Sequence, residues 1–192
     1  MTLDVAVRQE LARLVRTHGY EWREEPFRLT SGGVSHDYVD GKHAVARGDD
    51  LKLVSQAVIE VVAEPFDSVG GPTMGADAMA HGVALLSGAG WFSVRKEPKG
   101  HGRHSWVEGT RLSEGDRVVF VEDVVSTGAS LLRAVDRVLE LGAVAVAAVT
   151  LLDRSQAAGR RFAARGIRYL PLLTSVDIGI DPLPEEAATA EA

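Results

Sequence analysis

Five short apolar runs punctuate the chain, at 67–70, 91–94, 117–122, 143–151 and 167–173, and the stretches between them carry apolar residues at a helical period. Unbroken runs of this kind fit strands covered on both faces, as in a parallel sheet; half-exposed strands would alternate polar and apolar positions. Helical spacing marks 4–17, 49–63, 75–87, 130–141 and 156–165. In the fourth of these, Leu131, Leu132, Val135, Val138 and Leu139 fall on one side, and Gly142 supplies a stop. Strand and helix patterns taken in turn predict an α/β protein: a doubly wound, mostly parallel five-stranded sheet flanked by helices. Ser31, Gly32 and Gly33 predict a turn and Tyr38 and Val39 a short strand, so the region around 27–40 is expected to form a small hood within about residues 1–45. No linker or internal repeat divides residues 1–180, which are expected to form one domain. From Asp181 to Ala192 two prolines and small or acidic residues predict a flexible acidic tail.

Composition narrows the class. A chain of 192 residues with 45% apolar content can bury one sizeable core. The absence of cysteine removes disulfides, thiolate metal sites and cysteine nucleophiles. The first ten residues place charges where an export signal needs an apolar centre, and their spacing suits an amphipathic helix. The longest apolar stretch, Ala143 to Leu152, falls well short of the roughly 20 residues of a membrane helix, so a cytoplasmic location without membrane contact is expected. A formal net charge of −6 argues against general nucleic-acid binding, because a phosphate backbone rewards broad basic surfaces.

The chemistry concentrates at 118–130. Val118, Val119, Phe120 and Val121 form a buried-strand run, and Glu122 and Asp123 stand at its carboxyl end, where open α/β sheets bind ligands. Two acids there can accept hydrogen bonds from sugar hydroxyls or hold a divalent ion. Ser126, Thr127, Gly128 and Ser130 follow at once, so hydroxyls and backbone N–H groups can wrap a phosphate at a helix start. The loop has neither the lysine of a P-loop nor the spaced glycines of a dinucleotide fingerprint, which favours a pentose phosphate over a nucleoside triphosphate. A strand, a polar turn and a capped helix carrying two acids by chance is the plainer alternative.

This segment resembles the phosphoribosyl-pyrophosphate (PRPP) signature of the type I phosphoribosyltransferases. Three others point within that superfamily to the orotate phosphoribosyltransferases. The stretch from Phe27 to Lys42 is similar to that family's base-side motif. Val69 to Asp77 resembles its pyrophosphate loop, where a non-proline cis peptide often exposes backbone N–H groups. Val94 to Gly109 resembles its mobile catalytic loop. Between 95 and 104 that segment holds four Lys or Arg and two His against one Glu, a local positive charge that needs an anion, and its glycines permit a lid's motion. A solvated charged hairpin is the alternative there.

The resemblance implies transfer of 5-phosphoribose from PRPP to orotate in pyrimidine synthesis, with Mg2+ as cofactor and a homodimer whose catalytic loop is shared between subunits. It implies Lys99 as the main loop catalyst, with Arg95, Lys96 and His101 at the pyrophosphate. Glu122 and Asp123 would hold the ribose, with Asp123 facing the metal. Val124, Val125, Ser126, Thr127, Gly128, Ala129 and Ser130 would surround the 5-phosphate. Arg154, after the run ending Leu151 and Leu152, matches the family's arginine against the orotate carboxylate, and Ser126 would touch the base. Three positions depart from the pattern: Glu122 where many members have Asp, Met74 where many have a lysine near pyrophosphate, and Thr30 where others carry a base-side lysine. A phosphoribosyltransferase for another base, or a non-catalytic PRPP-sensing regulator, stays open at this point. His18, His36, His43, His81 and His104 show no metal spacing.

Overall fold

The computed structural model describes residues 3–28, 34–99, 106–155 and 157–184. The five expected parallel strands are present: β3 (Ser68–Pro72), β4 (Gly90–Val94), β6 (Arg117–Val125), β7 (Val144–Asp153) and β8 (Tyr169–Thr174). A short sixth strand, β5 (Val107–Gly109), adds antiparallel to β4 at the edge. The sheet order is β5-β4-β3-β6-β7-β8. The chain therefore reverses its direction of winding between β3 and β6, and that switch point is where such sheets leave a crevice.

Helices cover both faces. On one lie α1 (Val5–Leu14), α3 (Gly48–Val62) and α4 (Asp77–Ser87), whose Leu11, Val58 and Met79 share a core with Val119, Val121 and Val149. On the other lie α5 (Ala129–Leu139) and α6 (Ala157–Ala164), whose Leu131, Val135 and Phe162 pack with Val118 and Phe120. The alternation Val118/Phe120 against Val119/Val121 is the period-2 rule of a strand. It explains why the apolar run had to be continuous. Helices α3 and α4 approach closely at Gly82, where a β-carbon would lie 2.3 Å from Ser55 Oγ. Past α5 the chain turns at Gly142, at φ +90°.

The amino-terminal region departs from the expected grouping. Helix α1 belongs with the main sheet, because its apolar stripe buries Leu11, Leu14 and Val15 in the core, and it runs on as a π-helical turn, Val15–Gly19. The hood is the hairpin of β1 (Tyr20–Arg28) and β2 (Val34–Val39), a two-stranded sheet of its own. The turn expected at Ser31 to Gly33 lies outside the described residues. Helix α2 (Gly41–Ala44), capped by the Asp40 side chain on Lys42 N and His43 N, ties the hairpin to the body. The loose tail does not begin at Asp181: Leu183 is buried and its N–H donates to Arg154 O at 2.7 Å. An apolar side chain with a place in the core keeps these residues down. Residues 185–192 lie outside the description. Among the described residues no helix is long and apolar enough to cross a membrane.

Candidate functional site

Strands β3 and β6 pair only as far as Gly70 with Phe120, whereas β6 continues beside β7 as far as Val125 with Asp153. Past Phe120 one edge of β6 therefore has no strand paired to it, and the next residues with functional groups are Glu122 and Asp123. Both line a cavity of about 960 Å³. Successive strand residues project to opposite faces, so the two acids flank the strand end rather than stacking on each other.

Asp123 is the more enclosed. Its side chain lies between two glycines: a β-carbon on Gly41 would fall 2.6 Å from Asp123 Cβ, and one on Gly75 would fall 2.4 Å from Oδ1. Val124 N–H donates to Oδ1 at 2.8 Å. Burial raises the carboxyl's pKa, while the Val124 N–H and the Lys42 ammonium oppose that and nearby Asp40 adds to it. Glu122 is pushed up to about 8, chiefly by burial and then by the charge of Asp123, with Arg133 pulling the other way. Paired acids with pKa values raised by their surroundings mark a place built for a ligand that supplies compensating charge.

The loop after the acids is held from outside. Thr127 Oγ1 accepts from Ala129 N at 3.1 Å, Arg161 donates to Thr127 O at 3.2 Å, and Ser155 Oγ donates to Ser126 O. Val125 O accepts from Arg154 N at 2.8 Å. Gly128, at φ +76°, turns the chain into α5, and no side chain from that position caps the helix. The loop thus presents the positive end of a helix beside the cavity, with Ser130 in its wall.

Opposite stands the loop after β3. Pro72, Thr73, Met74 and Gly75 line the cavity, and the Thr73–Met74 peptide is cis. Met74 is 71% exposed. Arg95 and Lys96, at the end of β4, form a third side. Arg95 donates to Glu108 at 3.1 Å, and Lys99 Nζ stands 2.6 Å from the same carboxylate. Those two cations lower the pKa of Glu108 from its ordinary value, Lys99 contributing most. Lys99 pairs with Glu108 and is not part of the cavity wall. His101 lies outside the described residues.

Arg154 sits on the far side of the loop, at 3% exposure. Its Nη1 donates to Asp37 O in the hood at 2.8 Å, while its Nε and Nη2 are buried with no partner among the described residues. Burial lowers its pKa, opposed by Asp37 and Tyr20. An enclosed guanidinium with two unanswered nitrogens costs free energy unless an anion completes it.

The structure thus brings Glu122, Asp123, Ser130, Arg95 and Lys96 to one cavity, with residues 124–129 forming the loop beside it and Arg154 behind that loop. Lys42 and Arg133 are among the wall residues that went unassigned from sequence. Lys42 reaches the cavity from α2, 2.9 Å from Asp40, and only the fold sets it beside Asp123. Arg133 follows Ser130 by three residues on α5, and that helical spacing was a usable signal.

Known proteins are similar to this chain in sequence and fold. The sequence model of the phosphoribosyl transferase domain matches residues 59–165. An orotate phosphoribosyltransferase of Synechocystis is 33% identical over 177 residues, 90% of this chain and 88% of its own length. That of Methanothermobacter thermautotrophicus is 37% identical over 171 residues, 89% of this chain and 93% of its own. The crystal structure of Mycobacterium tuberculosis orotate phosphoribosyltransferase in complex with PRPP superposes with a TM-score of 0.76 at 33% identity, covering 91% of this chain and 99% of that one. At this identity, over nearly the whole length of each partner, this chain belongs to the orotate phosphoribosyltransferase family.

Proposed function

We propose that this protein transfers 5-phosphoribose from PRPP to N1 of orotate, giving orotidine 5-monophosphate and pyrophosphate, a late step of pyrimidine synthesis. Arg154 carries the choice of base. Its Nε and Nη2 are buried and unpartnered among the described residues, at the seam between hood and loop, and a guanidinium fork matches a carboxylate with two parallel hydrogen bonds. Orotate has that carboxylate and uracil lacks it.

Departure of pyrophosphate leaves positive charge on the ribose ring and negative charge on the leaving group, and water must be kept out. In this proposal Glu122 and Asp123 accept hydrogen bonds from the ribose hydroxyls. The loop from Val124 to Ser130 receives the 5-phosphate on backbone N–H groups and hydroxyls, and Ser126 reaches toward the base. Arg95, Lys96, Lys99 and His101 meet the pyrophosphate, where preorganised cations lower the barrier most.

Magnesium fits this donor set. Among the described residues no three His or carboxylate groups converge, and Mg2+ needs no such cage, since one or two carboxylates with substrate oxygens complete its shell. Asp123 is the residue that would hold it. When bound, the ion neutralises charge on the diphosphate.

We also infer a homodimer with the loop shared. Lys99 rests on Glu108 outside the wall of its own cavity, and α4 and β4 expose Leu85 at 84% and Trp91 at 39%, apolar surface suited to a second copy. Light scattering after gel filtration reads the mass directly; a monomer at active concentration rejects the arrangement. Mixed dimers of Lys99→Ala and Arg154→Ala chains should regain activity that neither has alone.

The deciding assay supplies PRPP and Mg2+ and follows orotate loss together with pyrophosphate release, against uracil, hypoxanthine and no-base controls. Orotate-dependent turnover that vanishes in Lys99→Ala is the expected result. PRPP binding without turnover of any base would replace the enzyme by a PRPP sensor.

A further inference from the structure

Five basic side chains line the cavity: Lys42, Arg95, Lys96, Arg133 and Arg137. Three are already neutralised, Lys42 by Asp40 at 2.9 Å, Arg95 by Glu108 at 3.1 Å and Arg137 by Glu140 at 3.2 Å. Lys96 and Arg133 have no carboxylate within 4.0 Å among the described residues. Lys96 already has a place at the pyrophosphate. Arg133 has none, and its surroundings point to one.

Arg133 Nη2 donates to Ser130 Oγ at 3.1 Å, so its guanidinium is turned back toward the end of the phosphate-type loop rather than out along the helix. That bond occupies one of five N–H donors. A cation so close to the start of α5 gains nothing from the helix dipole, which favours acids there. Across the cavity the wall from Pro72 to Gly75 offers backbone and the uncharged Met74. A ribose carrying a diphosphate and a further phosphate brings several negative charges to this wall, and Lys96 is the one other lining cation without a carboxylate partner among the described residues.

We propose that Arg133 is a diphosphate-binding residue of this site, the cation that the opposite wall at Met74 does not supply. Its planar fork suits two oxygens of a phosphate while one nitrogen keeps Ser130 in place. The inference rests on the assignment of the cavity to PRPP.

Titration calorimetry in the presence of Mg2+ tests it with three probes: PRPP, inorganic pyrophosphate and ribose 5-phosphate, which lacks the diphosphate. Arg133→Ala should weaken PRPP and pyrophosphate about ten- to a hundredfold and leave ribose 5-phosphate unchanged. Arg133→Lys should fall between, because it keeps the charge and loses the fork. Adding Met74→Lys to Arg133→Ala should restore diphosphate binding from the facing wall, an outcome that mere repair of the helix surface does not produce. Equal PRPP and pyrophosphate affinities in Arg133→Ala and the parent protein overturn the proposal. So does an equal loss for ribose 5-phosphate, which would make Arg133 a support for Ser130. A parent protein that binds none of the three probes removes the PRPP reading itself, a result separable from both.

Discussion

A β-carbon on Gly75 would stand 2.4 Å from Asp123 Oδ1, so it is the missing side chain at 75 that lets the loop after β3 close over the carboxylate at the end of β6. Strands β3 and β6 come together at the switch point of the sheet, and this contact is how the two sides of the crevice are held in register. The glycine is a spacing device for the acid.

Gly75→Ala should therefore damage function more than folding. The carboxylate has to rotate or retreat, and a displacement of about 1 Å in a catalytic group can cost about a hundredfold in rate. We expect kcat/KM for PRPP to fall by roughly that factor, with the melting temperature little changed. Gly48→Ala is the control, since a β-carbon there meets nothing within 4 Å. Unchanged kinetics in Gly75→Ala would show that Asp123 needs no fixed position.

Arg154→Lys preserves charge and removes the fork. If the two unpartnered nitrogens receive a carboxylate, the change should raise KM for orotate about ten- to a hundredfold and leave KM for PRPP nearly constant. Uracil turnover, expected to be poor in the parent protein, should stay the same. A parallel rise in both KM values would mean that Arg154 acts through its bond to Asp37 O and the seating of the hood.

Glu122 makes stability depend on pH. Its carboxyl is pushed up from an ordinary 4.5 to about 8, chiefly by burial and then by Asp123. Between those values the folded protein holds a proton that the unfolded chain has released. The stability this group contributes is full below about 4.5 and is lost as pH rises toward about 8. Thermal melts from pH 5 to 9 should show that decline, and Glu122→Gln, which cannot ionise, should flatten it while weakening PRPP binding. An identical pH profile in both proteins would place the ionised carboxylate in comfortable surroundings.

Much of this was legible in the chain because burial on both faces writes itself as unbroken apolar runs. Val118 to Val121 must fill two cores at once, so β6 and the acids after it could be located without coordinates. Strand β5 has only three residues and owes its existence to the edge of β4. Strand β1 carries Glu21, Arg23, Glu24, Glu25 and Pro26, a pattern that suits a hairpin standing away from the core and leaves no hydrophobic period to read. Lys42 was hidden for a different reason: α2 meets β6 through the close approach of Gly41 to Asp123, a contact between residues 82 positions apart.

Glu108 holds two cations at once, Arg95 at 3.1 Å and Lys99 at 2.6 Å, from an edge strand that is not part of the cavity wall. Its carboxyl, held low by Lys99 and then Arg95, stays ionised at neutral pH. In the proposed reaction Lys99 has to reach pyrophosphate, and doing so would break this pair. Because both partners are substantially exposed, the restraint is weak and open to salt. Glu108→Gln should lower KM for PRPP roughly two- to fivefold at low ionic strength, and the advantage should disappear in 0.5 M salt, on the order of the concentration at which exposed pairs are screened. A fall in kcat with KM unchanged would mean the reverse, that Glu108 aligns Lys99 for its work instead of holding it back, and Lys99 would then have to act from the position it already occupies.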